Sequence, residues 1–298
     1  MILTVVYAVA AALSNGVNVL TQHWASVTAP KQAKGWHLVG YLFRQPVWLL
    51  GWIAAVAGFL FQALALHEGQ LSVVQPILVT ELVFVLALRR IWIGQAVAST
   101  AWAAVVVVCV ALAVFLSVAE PTGGNPSPAA ADWASSLVVF GGVIVVFIAL
   151  GLRGSAVRRA AVFAVAAALA WALMATFLKT VTGTLAGSGV GSLLAHWPIY
   201  ALAAAAIAGT LLEQSALHVG PLSVSQPLLV IINPLGSIIL SVWLFDERFT
   251  NSPPRIAIAS LAFAALSAGV VVLSRASPQE LTLSPPGARA DTPTSPGR

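Results

Sequence analysis

The chain has 298 residues, of which 59% are hydrophobic and only 8% charged, with a mean hydropathy of +0.96. A water-soluble domain carries about 25% charged residues, so this composition excludes one and requires a polytopic membrane protein. The formal charge of +5 comes without a basic stripe interleaved with aromatics, so no nucleic-acid partner is expected and the surplus reads as positive-inside topology.

About 20 apolar residues cross the hydrocarbon core, and windows of that length recur along the chain. They fall near Leu3 to Thr21, Val47 to Leu66, Leu71 to Leu88, Ile93 to Val118, Ser135 to Leu152, Ala160 to Leu178, Pro198 to Leu217, Leu222 to Leu244 and Ile256 to Leu273. The fold class is therefore an all-α polytopic membrane protein of about nine transmembrane helices. The N-terminus lacks a charged leader and a small-residue cleavage site, so the first run reads as a retained helix. With the N-terminus outside, Lys31, Lys34, Arg44, Arg89, Arg90, Arg153, Arg158, Arg159, Arg275, Arg289 and Arg298 lie inside, against only Lys179, Arg248 and Arg255 outside. That bias predicts an N-out, C-in protein of the cell membrane.

Trp24, Trp36, Trp48, Trp92, Trp133, Trp197 and Trp243 fall at expected helix ends, where indole anchors in the headgroup zone. Lys179 is expected to snorkel outward from the sixth helix. Cys109, the one cysteine, can form no internal disulfide and reads as a small packing residue. The Pro/Gly-rich stretch from Glu120 to Pro128 reads as an outer loop, and Ser277 to Arg298 as a disordered cytoplasmic tail.

One line of sequence is written twice. Ala65 to Val79 and Ala216 to Val230 match at 11 of 15 places in register, 151 positions apart. That offset maps the first four helices onto the sixth to ninth and leaves the fifth without a partner. Five crossings separate each helix from its copy, so the halves must lie in opposite orientations, an inverted repeat of the kind that builds secondary transporters. The organisation is residues 1–132 as first repeat and outer loop, 133–153 as an unpaired linker helix, 154–275 as the inverted second repeat and 276–298 as the tail. Old duplication kept for packing is the alternative.

Each copy forms a tight hairpin, His67-Glu68-Gly69-Gln70 outside and His218-Val219-Gly220-Pro221 inside, followed by a proline in the second turn of the returning helix. Pro76 and Pro227 leave the carbonyls of Ser72 and Ser223 free, so they mark bent helix starts near polar space, or helices that simply begin later. Pro234 adds a second kink signal. Around it Ser223, Gln226, Val230, Pro234, Ser237 and Ser241 share one face with Asn233 at its edge, which either packs closely or lines a pathway. Asn15, Asn18 and Gln22 form a similar stripe on the first helix, as helix glue or pathway.

Two carboxylates lie within spans. Glu81 is near the midplane and Glu213, which stands where the first half has Gln62, is near the inner end of the seventh helix; each is a functional candidate because a buried carboxylate is costly. In an ideal helix Glu81 points away from Ser72, so the two share a path only if Pro76 rephases the helix. The candidate pathway residues are thus Asn15, Asn18, Gln22, Gln62, Gln75, Glu81, Glu213, Gln226 and Asn233, with bends at Pro76, Pro227 and Pro234. The histidines at the two mouths lack metal-ligand partners in sequence, and no metal site is expected.

The order of apolar helix, short turn and Leu-Ser-Val-x-Gln-Pro helix, closing at Phe245-Asp246-Glu247-Arg248-Phe249, resembles the drug/metabolite transporter superfamily, in which an acidic-Glu-Arg turn closes that helix. Gly40-Tyr41-Leu42, Pro46-Val47-Trp48 and the nine-helix count look more like its NIPA-type magnesium-transporter branch than the ten-helix EamA branch. Two departures are Arg89-Arg90 in place of Glu-Arg and the unpaired fifth helix. The resemblance implies secondary transport of a small solute through a central cavity between the halves. A small organic solute or metabolite is the first expectation and a divalent cation such as Mg²⁺ the second. A non-transporting structural membrane protein is the alternative from another class. No Gly-x-Ser-x-Gly, His-Glu-x-x-His or Walker A pattern occurs, so neither an enzyme nor a nucleotide-driven pump is expected. No cofactor is implied; H⁺ and Na⁺ are the candidate coupling ions. The expected partners are the bilayer, the solute and a second copy of the chain.

Overall fold

A computed structural model describes residues 1–28, 44–94, 97–125, 128–249 and 252–276. The expectations placed on Lys31, Lys34, Trp36, Gly40 to Leu42, Pro126 and the tail from Ser277 lie outside these residues. Among the described residues the chain is helical: α1 (Ile2–Thr28), α2 (Pro46–Glu68), α3 (Leu71–Leu78), α4 (Glu81–Leu88) running into a π-helical turn (Arg89–Ile93), α5 (Ser99–Ala119), α6 (Ala130–Gly151), α7 (Ala156–Ser188), α8 (Val190–Leu193), α9 (Pro198–Val219), α10 (Leu222–Phe245) and α11 (Pro253–Ala276). No strand forms among them; Thr122 and Arg248 make an isolated antiparallel bridge.

Nine of these segments are long and apolar enough to cross a bilayer, with α3, α4 and the π turn together making one. Their outward faces carry large apolar side chains such as Trp52, Ile53, Val56, Leu60, Val106 and Val110, all exposed. A helix apolar on all sides suits a lipid solvent, in which association depends on close packing rather than on hydrophobic segregation. Small residues provide that packing. At Gly51 an added Cβ would lie 2.7 Å from Thr21 Oγ1, and at Gly58 it would collide with Asn15 Oδ1, so the two glycines let α2 lie along α1. α7 is lined with buried alanines from Ala160 to Ala175 and is the most enclosed span; it packs along α9, α10 and α6.

Three expectations change. Trp133 is only 6% exposed and stacks on Phe177, ring centroids 5.1 Å apart and 11° between planes, with Trp197 edge-on to both. It is an interior packing residue rather than a headgroup anchor. Cys109 is exposed, on the outer face of α5, and fills no gap. Lys179 does not snorkel; at 15% side-chain exposure its ammonium is held by Glu247, the Gly69 carbonyl and the Phe245 ring.

Candidate functional site

The two proline-bearing hairpins begin alike. Gly69 (φ −149°, ψ −178°) and Gly220 (φ −153°, ψ −173°) hold nearly the same extended backbone between α2 and α3 and between α9 and α10. Each glycine is pressed against a helix start: Gly69 against Thr4, whose Oγ1 donates to Glu68 O at 3.2 Å, and Gly220 against the Ala156 carbonyl and Ala160.

Past the hairpins the copies diverge. After Pro76 the helix stops at Leu78, and Val79–Thr80 form a turn in which Val79 N–H donates to Pro76 O and Thr80 N–H to Ile77 O. Thr80 Oγ1 also donates to Ile77 O at 2.7 Å, supplying one of the donors that a broken helix in lipid needs. α4 then restarts with Glu81 in its first turn, where the helix dipole favours a carboxylate. α10 runs unbroken through both Pro227 and Pro234. The residue matching Thr80 there is Ile231, which has no hydroxyl to offer.

One side of this broken span faces a cavity. This cavity measures about 380 Å³ and is lined by Asn15 and Asn18 of α1, Ala55, Phe59 and Gln62 of α2, Gln75, Leu78, Val79, Glu81 and Leu82 of the broken span, Trp171 and Met174 of α7, Glu213 of α9, and Gln226, Leu229, Val230, Asn233 and Pro234 of α10. Eight of the nine pathway candidates and one of the three bend candidates therefore meet in a single space. Gln22 is outside it; its Nε2 donates to Asn18 Oδ1 at 2.6 Å and fixes that amide from one turn away. Pro76 and Pro227 act on the backbone and do not face the cavity. The polar stripe of α10 divides: Gln226, Val230, Asn233 and Pro234 line the space, while Ser237 and Ser241 are fully buried in packing.

Sequence reasoning missed Phe59, Trp171 and Met174. Trp171 Nε1 donates to Glu213 Oε2 at 2.9 Å and orients that carboxylate. A Cβ on Gly209 would lie 3.1 Å from the Trp171 ring, so Gly209 makes room for the indole as Gly58 makes room for Asn15. The signal was present, since Trp171 sits mid-span, unlike the tryptophans at helix ends. Glu81 shares the cavity with the Asn15 side chain and with Glu213, whose like charge acts on it. No ion pair among the described residues involves either carboxylate. Among the described residues the lining has no lysine, arginine or histidine.

A second polar centre closes the first hairpin, between α2 and α3. Glu247 is fully buried and accepts from Leu71 N–H (2.9 Å), Ser72 N–H (3.1 Å), Ser72 Oγ (2.6 Å) and Lys179 Nζ (2.7 Å). Lys179 also donates to Gly69 O at 3.2 Å and lies 5.0 Å from the centre of the Phe245 ring. The carboxylate caps the N-terminus of α3, where unpaired N–H groups and the dipole favour negative charge. Burial alone would raise its pKa, but the Lys179 charge and the hydrogen bonds from Lys179, Ser72 and Leu71 outweigh it and hold the carboxyl below its ordinary value. Ser72 is thereby committed to Glu247 and shares no path with Glu81. Thr122 and Arg248 exchange backbone hydrogen bonds of 2.8 Å, so the start of the Pro/Gly-rich loop is tied to the same turn. At the positions 151 residues earlier the sequence has Thr28 in place of Lys179 and Ala96 in place of Glu247.

Comparison with known proteins adds likeness without a function. No family model matches the chain, and no solved structure matches it. A Corynebacterium glutamicum protein described as uncharacterized is 27% identical over 252 residues, spanning 83% of this chain and 86% of that relative.

Proposed function

We propose that the chain is a secondary transporter of a small organic solute in the cell membrane, N-terminus outside, working by alternating access between two inverted repeats. The observation that carries this reading is the cavity itself, a polar space of about 380 Å³ inside an otherwise apolar helical bundle, gathering residues from six of its spans. Its size is at the low end of the ~300–1,000 Å³ that small-molecule sites occupy. Polar and ionisable groups are expensive in lipid and mark solute or ion paths by default.

The pairing of its walls supports the repeat. Gln62 and Glu213, Gln75 and Gln226, Leu78 and Leu229, and Val79 and Val230 all line the cavity, and the members of each pair are 151 positions apart. Gly58 and Gly209, each making room for a lining side chain, stand at the same offset. Matched elements approaching one site from opposite faces are what a rocking mechanism uses. The Lys179–Glu247 centre fits the role of an outer latch, holding α3 against the second half, while the aligned positions, Thr28 and Ala96, are uncharged. H⁺ or Na⁺ would be the coupling ion.

A second reading, transport of a divalent cation such as Mg²⁺, is favoured by one observation, that Glu81 and Glu213 share the cavity with oxygen-bearing carboxamides. Proteoliposomes with imposed pH and Na⁺ gradients, assayed against a solute panel and against Mg²⁺ alone, separate the two. Gradient-dependent uptake of an organic solute supports the first reading, uptake of Mg²⁺ alone supports the second, and no flux above protein-free vesicles rejects both.

A further inference from the structure

Building on the transport reading, we propose that the central cavity takes a small organic ammonium ion that carries a hydroxyl or amide oxygen and has net positive charge. Three independent features point to it. First, Glu81 and Glu213 put two carboxylates in one cavity whose lining, among the described residues, contains no basic side chain; of the buried cations, Lys179 is committed to Glu247 and Arg89 does not line the space. In a low-dielectric site a carboxyl is neutralised by a proton or balanced by a cation, and a cationic cargo can displace the proton and supply that charge.

Second, the space has a carbon-binding side as well as a charged one. Phe59, Trp171 and Met174 line it beside the carboxylates, and the Trp171 N–H is already bound to Glu213, so the indole is held in place. An aromatic face next to a carboxylate suits an alkylammonium through cation–π attraction and apolar contact. A divalent metal would gain nothing from those faces and would need a fuller oxygen shell. Among the described residues no three His, Cys, Asp or Glu side chains come together to hold one.

Third, Gln75 is 1% exposed, lines the cavity, and its Nε2 has no hydrogen-bond partner. A buried donor left unmade is costly, and an acceptor oxygen on the cargo would satisfy it. A carboxylate on the cargo would satisfy it too, but would bring a third negative charge beside Glu81 and Glu213. The preferred acceptor is therefore neutral.

The test uses the full chain in lipid nanodiscs and proteoliposomes with four probes: 2-amino-1-phenylethanol, 2-phenylethylammonium, 1-phenylethanol and Mg²⁺. Calorimetric titration is expected to rank them in that order. Loss of the ammonium should weaken binding at least about tenfold, and loss of the hydroxyl about threefold to tenfold. Glu81→Gln and Glu213→Gln should each weaken both ammonium probes at least about tenfold while leaving 1-phenylethanol unchanged. Gln75→Met should erase only the advantage of the hydroxyl. Equal affinity for 1-phenylethanol and its amino derivative, or Mg²⁺ binding tighter than both ammonium probes, overturns the proposal. Should a variant not fold, the wild-type ranking still decides. Ammonium binding without flux would reject transport and keep the site, whereas flux of an anionic or neutral solute unaffected by Glu81→Gln would keep transport and reject this cargo.

Discussion

Replacing Lys179 with Met should destabilise the outer end of the bundle far more than a surface charge deletion would. At 2.7 Å the gross attraction between Lys179 Nζ and Glu247 Oε1 is about 6 kcal/mol at an effective dielectric of ~20. Desolvation of both groups offsets part of it, and removing one partner of a buried pair typically costs ~3–5 kcal/mol, because the other charge is left uncompensated. Glu247→Gln keeps the shape but has one acceptor oxygen in place of two, so it can accept from Leu71 or from Ser72 and not from both; because it removes the uncompensated negative charge, the double variant should be more stable than Lys179→Met alone. Thermal unfolding in detergent across this double-variant cycle measures the coupling, expected toward the upper part of ~0.5–3 kcal/mol. The same centre sets a pH dependence. Because the folded Glu247 pKa lies below its ordinary value of 4.5, its stabilising contribution is complete above 4.5 and is lost as pH falls through the folded value. Acid should therefore reduce the wild-type melting temperature more than that of Glu247→Gln. An additive cycle, or equal acid sensitivity in both proteins, would refute the account of the latch.

Gly220→Ala should destabilise by roughly 1–3 kcal/mol, since the new Cβ would lie 2.7 Å from the Ala156 backbone carbonyl, which cannot swing aside. Gly141→Ala on α6, with nothing within 4 Å, is the control and should be neutral or slightly stabilising in the same melting assay. For topology, in a Cys109→Ala background, an impermeant thiol reagent should label His67→Cys from outside the cell and Arg153→Cys only from inside; both wild-type side chains are exposed. Labelling of both from one face would exclude the N-out orientation. Trp171→Phe removes the donor to Glu213 while keeping an aromatic wall, so binding of an ammonium probe should weaken about threefold to tenfold, measured by titration calorimetry.

The spans were legible because twenty-residue apolar windows need no tertiary knowledge, and the observed helices extend them by a few residues at most ends. The polar lining was legible for a related reason: Asn, Gln and Glu are costly in lipid, so each one written into a span has a physical cause. Facing was harder. In α5 nearly every residue is apolar, periodicity carries no signal, and Cys109 was assigned to packing when it faces outward. Trp133 was misplaced in the same way, its stacking partner Phe177 lying 44 positions later on another helix. Lys179 and Glu247 are 68 residues apart, and the contacts that hold Lys179 inward, Glu247, Gly69 O and Phe245, all come from other segments of the chain. The two prolines show how a local motif depends on its neighbours. Pro76 precedes a helix break that Thr80 caps, and Pro227, in nearly identical sequence, sits in a helix that does not stop.

The measurement that bears most directly on alternating access needs no known cargo. Asn233 lines the cavity about midway along α10, and in a Cys109→Ala background Asn233→Cys can be probed in oriented membranes with impermeant reagent applied to one side at a time. A cavity that opens in turn to each side predicts modification from outside and from inside, with bound 2-amino-1-phenylethanol slowing both. Modification from one face alone, or from neither, would contradict it.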